Sequence, residues 1–341
     1  MKDGLPTLSE YGEQVSLING IEIQGVLADQ LMVEMAAVSE VFDQHLKCEH
    51  ESINELCGYL EKYRGKMLRP TLVMLSGLAS GQNLREEHRV VAAVVEMIHM
   101  ATLVHDDVLD ESEVRRRGRT INNLHGNEMA VMLGDYLISN SFHLCSTIGN
   151  PTINTFLGGV TNTLCEGELI QLHNRNNLDI SVDTYDTIVR KKTASLIGAS
   201  CRLGAVLSGA DGGVADGVER FGIMSGIAFQ ITDDVLDLVG EEDVVGKSVG
   251  RDLEKGKFTL PVIIALNDAD EKRRGMLLEL IAARDLVGLR RELENDGSIE
   301  RALSQAAALV ENAKMELDVV SESPAKSLLC SLADGILDRR F

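Results

Sequence analysis

Aromatic residues make up only 4% of the 341-residue chain, and its prolines number five. Both scarcities suit long helices, because proline breaks the helical hydrogen-bond ladder and aromatics favour strands. The six cysteines, Cys48, Cys57, Cys145, Cys165, Cys201 and Cys330, include no C-x-x-C pair, and His173 is the only histidine close to Cys165. That spacing excludes the usual zinc and dithiol motifs and reads as reduced core thiols of a cytosolic protein. The opening residues, Met1-Lys2-Asp3-Gly4-Leu5-Pro6, have no basic stretch followed by an apolar one, and no apolar run approaches membrane-spanning length. A cytoplasmic protein is expected. Cations are also in deficit: 33 Lys and Arg face 53 Asp and Glu, a net charge of -20. Such a field repels nucleic acid and anionic membrane surfaces, so an anionic substrate needs local help.

What remains is ordinary for a globular protein, with 44% apolar and 25% charged residues, and enough length for one large domain or two smaller ones. Three- and four-residue apolar spacing predicts helices over Ser16 to about Leu46, Ile53–Tyr63, Pro70–Ala79, Glu86–Asp110, Glu128–Thr147, Pro151–Leu172, Asp183–Leu207 and Val218–Val239. Further helices follow from Pro261 to Leu337. Asn150 as N-cap with Pro151 behind it is a start signal. Asp211-Gly212-Gly213 to Asp216-Gly217 reads as a turn, and an irregular linker carrying Asn122, Asn123 and Gly126 follows Arg116-Arg117-Gly118-Arg119. With no alternating strand pattern and no linker composition, the expectation is a loose arm at 1–16 and one all-α domain over 17–341, a large helical bundle around a central cavity.

The chemistry gathers in Asp106-Asp107-Val108-Leu109-Asp110 at the end of the most apolar helix, and the same pentapeptide returns as Asp233-Asp234-Val235-Leu236-Asp237. Residues four apart share a helical face, and like charges there repel unless a cation sits between them. Oxygen-only ligands select a hard ion such as Mg2+, which binds few carboxylates and completes its shell with water and phosphate oxygens. The natural third partner is therefore a diphosphate, with a hydrocarbon in an apolar pocket beside it. Cations lie on separate segments: Lys66 and Arg69 at a helix N-terminus, Arg115-Arg116-Arg117 after the first cluster, Lys191-Lys192 mid-helix, and a glycine-punctuated lid from Gly246-Lys247 to Gly256-Lys257. Singly, the mid-helix lysines and the glycine-punctuated loop read as solvated surface, while Lys66 and Arg69 suit a solvated turn and an anion site equally. His99 lies two turns before Asp106 on the same face.

Asp106-Asp107-x-x-Asp110 and Asp233-Asp234-x-x-Asp237, with Gly65-Lys66-x-x-Arg69-Pro70, Arg115-Arg116, Lys192-Thr193, Phe229-Gln230, Gly246-Lys247 and Gly256-Lys257, resemble the trans-polyprenyl diphosphate synthases from about Arg64 to Thr259. Arg117, standing between the arginine pair and Gly118, departs from the family pattern. The resemblance implies the isoprenoid synthase fold, a homodimer, and condensation of isopentenyl diphosphate with an allylic diphosphate. It implies three Mg2+ with substrate bound, held by Asp106, Asp110 and Asp233, with Asp107, Asp234 and Asp237 as ligands or support. Arg115, Lys192, Lys247 and Lys257 would grip the allylic diphosphate, and Lys66, Arg69, His99 and Arg116 that of isopentenyl diphosphate. Thr193 and Gln230 would lie near the allylic cation.

One turn before Asp106 stand Ala101 and Thr102, where short-chain members often carry an aromatic ring. Small side chains leave the tunnel open, so products beyond geranylgeranyl, hexa- to decaprenyl, are expected, with Phe142 a candidate floor and Met97 and Met100 rival caps. The alternatives are a farnesyl or geranylgeranyl synthase and, from another class, a non-catalytic subunit of a heteromeric synthase. A terpene cyclase would not need the second diphosphate site that Lys66, Arg69 and Arg116 suggest. A helical scaffold with acidic caps leaves the repeated pentapeptide unexplained.

Overall fold

Residues 90–104 are apolar almost all round, and the helix they form packs against several others. The structure is a computed structural model that describes residues 25–81, 83–115, 118–240 and 250–338. Among them the helices are α1 (Val26–Leu46), α2 (Glu51–Gly58), α3 (Leu68–Ala79), α4 (Glu86–Leu109), α5 (Ile121–His125), α6 (Asn127–Ser146), α7 (Pro151–His173), α8 (Val182–Val189) and α9 (Ser195–Leu207). They continue with α10 (Gly212–Val239), α11 (Arg251–Glu254), α12 (Leu260–Asp268), α13 (Glu271–Ala283), α14 (Leu286–Asn295), α15 (Ser298–Glu316) and α16 (Pro324–Leu337). The proposed arm at 1–16 and the start of the first predicted helix lie outside the described residues.

Helix α4 packs against α1, α3, α6 and α9, while α10 packs against α9 and α15. Val91, Val94, Val95, Met97, Ile98 and Met100 in α4 are wholly buried. Each such side chain contributes roughly 1.5–3 kcal/mol by leaving water. One apolar core runs from Ala28 in α1 to Ile336 in α16. The Asn150 side chain accepts from the Thr152 amide at 3.0 Å with Pro151 at the first helical position, as the start signal predicts.

Four local features differ from the sequence reading. Residues 212–217 are helical rather than a turn. Asp211 caps α10 by accepting from the Val214 amide at 3.0 Å, and Gly217 is there for close packing, since a Cβ would meet Val319 at 2.6 Å. The segment between the first acidic cluster and the linker holds a two-stranded antiparallel ribbon, β1 (Val114–Arg115) with β2 (Gly118–Arg119), and the linker itself holds α5. Four residues of strand leave no alternation to read. The predicted helix ending at Tyr63 closes as a 3-10 turn, Tyr59–Lys62. Finally, the long helix expected over 183–207 is interrupted by a π turn, Arg190–Ala194, that carries Lys192 and Thr193.

Candidate active site

Asp106 and Asp107 lie in the last turn of α4, Asp110 is its C-cap, and Asp233, Asp234 and Asp237 lie in the last turns of α10. Helix C-termini carry partial negative charge, so carboxylates there raise an already unfavourable potential. The local counter-charge is supplied by lysine and arginine. Lys192 Nζ donates to Gln171 Oε1 at 2.9 Å, pairs with Glu168, and stands 3.6 Å from Asp106. Burial works against its ammonium, but Asp106 and Glu168 more than offset this and hold the proton more firmly than on an ordinary lysine. Burial also pushes the Asp106 carboxyl up, with Lys192 opposing.

Asp110 is held from two sides. Arg175 Nη2 donates to Oδ1 at 2.7 Å and Lys257 Nζ to Oδ2 at 2.8 Å. The Lys257 amide in turn donates to the Asp252 carbonyl at 2.8 Å, and the Asp252 amide donates to Asp237 Oδ2 at 3.1 Å. A continuous chain of polar contacts thus runs from the first acidic cluster to the second and brings the ends of α4 and α10 to one space. The Asp252 carboxyl is pushed up to about 6 by burial and by Asp237, with Lys257 opposing.

The middle aspartates face elsewhere. Arg115 Nε and Nη2 donate to Asp107 at 2.8–3.0 Å, and Tyr63 Oη donates to its Oδ2 at 2.8 Å. Tyr185 Oη donates to Asp234 Oδ2 at 2.6 Å and Gln230 Nε2 to its Oδ1 at 2.8 Å. Burial drives both the Asp234 carboxyl and the Tyr185 phenol well upward. Thr193 Oγ1 donates to Gln230 Oε1 at 2.9 Å, so these two residues do meet. Asp233 is half-buried at the inner turn.

Lys66 is exposed just ahead of α3 and Arg69 lies in its first turn. Burial lowers the Arg69 guanidinium to about 10, and nearby Glu96, buried in α4, opposes this. His99 is half-buried, with its carbonyl accepting from Thr102 Oγ1 at 2.7 Å. Ala101 is fully buried; Thr102 and Phe142, the latter in α6, are half-buried. Arg116 and Lys247 lie outside the described residues.

Residues that sequence reasoning passed over include Tyr63, Glu96, Glu168, Gln171, Arg175, Tyr185 and Asp252. Three of them were readable, because Glu168, Gln171 and Arg175 fall at i, i+3 and i+7 and so form one polar stripe on α7 and its C-terminal turn. The donor set at the two helix ends is oxygen throughout, which suits a hard cation such as Mg2+. Among the described residues no three acidic, histidine or cysteine side chains meet closely enough to cage an ion alone. No helix among them is long and apolar enough to cross a membrane.

Residues 50–291 match the polyprenyl synthetase family. The chain belongs to that family. This polyprenyl synthetase is 31% identical to heptaprenyl diphosphate synthase component 2 of Bacillus subtilis, over 100% of its own chain and 98% of the relative. It is 35% identical to a geranylgeranyl pyrophosphate synthase of Geoglobus acetivorans, over 89% of its chain and 99% of the relative. Among solved structures, a Caulobacter crescentus polyprenyl synthase complexed with calcium and isoprenyl diphosphate superposes with a TM-score of 0.86 at 27% identity, covering 100% of both chains. The fold is the all-helical isoprenoid synthase fold, and the polyprenyl synthetase is an enzyme of isoprenoid biosynthesis, a trans-prenyltransferase.

Proposed function

We propose that this prenyltransferase condenses isopentenyl diphosphate with an allylic diphosphate and extends the product beyond geranylgeranyl, into the hexa- to decaprenyl range. The observation that carries the condensation is the polar chain from Asp110 through Lys257 and Asp252 to Asp237, which draws two acidic helix ends around one space. In this reading Asp106, Asp110 and Asp233 hold Mg2+, three ions when substrate is present, and Asp237 supports them. Bound there, Mg2+ supplies positive charge against the negative charge that builds on a departing diphosphate. Asp107 and Asp234 serve from behind, since both are buried against Arg115 with Tyr63 and Tyr185 with Gln230, whereas Asp106, Asp110 and Asp233 are only half-buried.

Lys192 and Lys257 rest on Asp106 and Asp110 and transfer to phosphate oxygens when the allylic diphosphate arrives, joined by Arg115 and Lys247. Lys66, Arg69, His99 and Arg116 hold the diphosphate of isopentenyl diphosphate, and the Glu96 carboxylate opposes the effect of burial on the Arg69 guanidinium. Ionisation leaves an allylic cation beside the Thr193 hydroxyl and the Gln230 amide. The isopentenyl double bond attacks it, and the released diphosphate takes the proton.

The small, buried Ala101 and half-buried Thr102 support an open tunnel, with Phe142 as its floor. Purified protein given farnesyl and isopentenyl diphosphates yields products longer than geranylgeranyl on chromatography; arrest at geranylgeranyl overturns the chain-length reading. The family resemblance also supports a homodimer, which light scattering tests. A second reading draws on the Bacillus relative, named as a component 2: a subunit that needs another polypeptide. Turnover by the lone purified chain excludes it.

A further inference from the structure

Tyr63 ends the 3-10 turn, three residues before Lys66, and is 3% exposed. Its hydroxyl donates to Asp107 Oδ2 at 2.8 Å and accepts from the Ile121 amide at 3.1 Å. Its ring lies under the Arg115 guanidinium, 5.9 Å from centroid to Cζ. Asp107, 1% exposed, receives Arg115 through Nε at 3.0 Å and Nη2 at 2.8 Å. One phenol therefore touches both Asp107 and Arg115, and also the start of α5 that closes the ribbon.

The ribbon that carries Arg115 pairs only two residues with two, and such a piece does not hold its shape in water unaided. Its further ties are Thr120 Oγ1 to the Ser112 carbonyl at 2.6 Å and Asn122 Nδ2 to the Asp107 and Ser112 carbonyls at 3.2 and 3.1 Å. These fix the backbone of the turn, whereas the guanidinium itself is aimed by Asp107 and the Tyr63 ring. A bidentate grip on Nε and Nη2 leaves the Nη1 side of the fork to meet an anion, and its plane is then set by the carboxylate. Burial pushes the Tyr63 phenol upward, so the hydroxyl stays protonated and keeps donating.

We propose that Tyr63 is a positioning residue for the allylic diphosphate, acting through Asp107 to set the plane of the Arg115 guanidinium. The inference rests on the reading of Arg115 as an allylic-diphosphate ligand. Tyr63→Phe keeps the ring and its packing and removes both hydrogen bonds. The probe is farnesyl diphosphate with Mg2+, its affinity measured by calorimetry alongside KM and kcat, with thermal midpoints recorded for every variant.

Tyr63→Phe is expected to weaken farnesyl diphosphate binding about five- to tenfold, the scale of one ordinary hydrogen bond, raising its KM more than it lowers kcat. In an Arg115→Ala background the same substitution adds nothing further to the loss. Asp107→Asn, which keeps shape and loses charge, gives a similar loss and serves if Tyr63→Phe misfolds. Unchanged farnesyl diphosphate affinity in Tyr63→Phe overturns the proposal, as does an equal loss with and without Arg115, since a purely structural tyrosine acts independently of it. If Arg115→Ala itself binds farnesyl diphosphate normally, the assignment of Arg115 falls instead, and the two failures are told apart.

Discussion

Each Asp110 oxygen is taken by a different cation, Arg175 on one and Lys257 on the other, and Arg175 Nη1 and Nη2 also reach the Leu109 carbonyl at 3.4 Å. A cation on the last carbonyls of a helix offsets its negative end, so Arg175 both caps α4 and steers the Asp110 carboxylate. Arg175→Ala should raise the Mg2+ concentration for half-maximal activity severalfold with little change in thermal midpoint; an unaltered Mg2+ dependence excludes the steering role. Burial is the main influence on the Cys57, Cys145 and Cys201 thiols. Burial pushes Cys57 up to about 11, helped by Cys48, Cys145 to about 11, and Cys201 to about 12. These thiols stay protonated at neutral pH, so maleimide on native protein should label exposed Cys165 first and Cys145 and Cys201 last by peptide mapping. Their folded-state values are raised, so the stability they contribute is intact below pH ~9 and is lost as pH climbs through the folded values, because the unfolded chain then releases protons the folded chain keeps. Thermal midpoints in reductant should fall from pH 8 to 10.5, less steeply in Cys201→Ala.

Two glycines separate packing of elements from placement of the site. Gly204 in α9 lies against α3 so closely that a Cβ would be 2.2 Å from the Val73 carbonyl oxygen, and backbone cannot step aside. Gly204→Ala should cost roughly 1–3 kcal/mol, read as a lower urea midpoint. Gly167 in α7 faces the π turn, where a Cβ would be 2.7 Å from the Lys192 amide nitrogen. Gly167→Ala should displace Lys192 from Glu168 and Gln171 and lower kcat more than tenfold with a smaller stability loss, measured by steady-state kinetics beside the melt. Most elements were legible, because a 24-residue helix such as α4 repeats its apolar spacing many times. The ribbon, the π turn and the 3-10 turn were not, since each is set by what packs on it. Asp211 and its glycines were misread for the same reason: Gly217 is small because Val319, some hundred residues on, presses against it.

At the scale of the whole molecule, the proposed function makes the wall beside the acidic clusters the element that sets how far a chain grows. Ala101→Tyr should shorten the product distribution by several isoprene units on chromatography while condensation persists; an unshifted distribution places the floor elsewhere. The chain by itself determined the bundle, the two aspartate pentapeptides at helix ends and the cations spaced along the segments around them, because hydrophobic period and local charge are properties of neighbours in sequence. Only tertiary structure decided which carboxylates stay at the mouth and which turn to structural partners. Tyr63 and Asp107 are 44 residues apart, Tyr185 and Asp234 are 49, and Lys257 and Asp110 are 147. Identical pentapeptides carry no mark of those partners; what separates Asp107 from Asp106 is the direction each side chain leaves its helix and the surface it meets there.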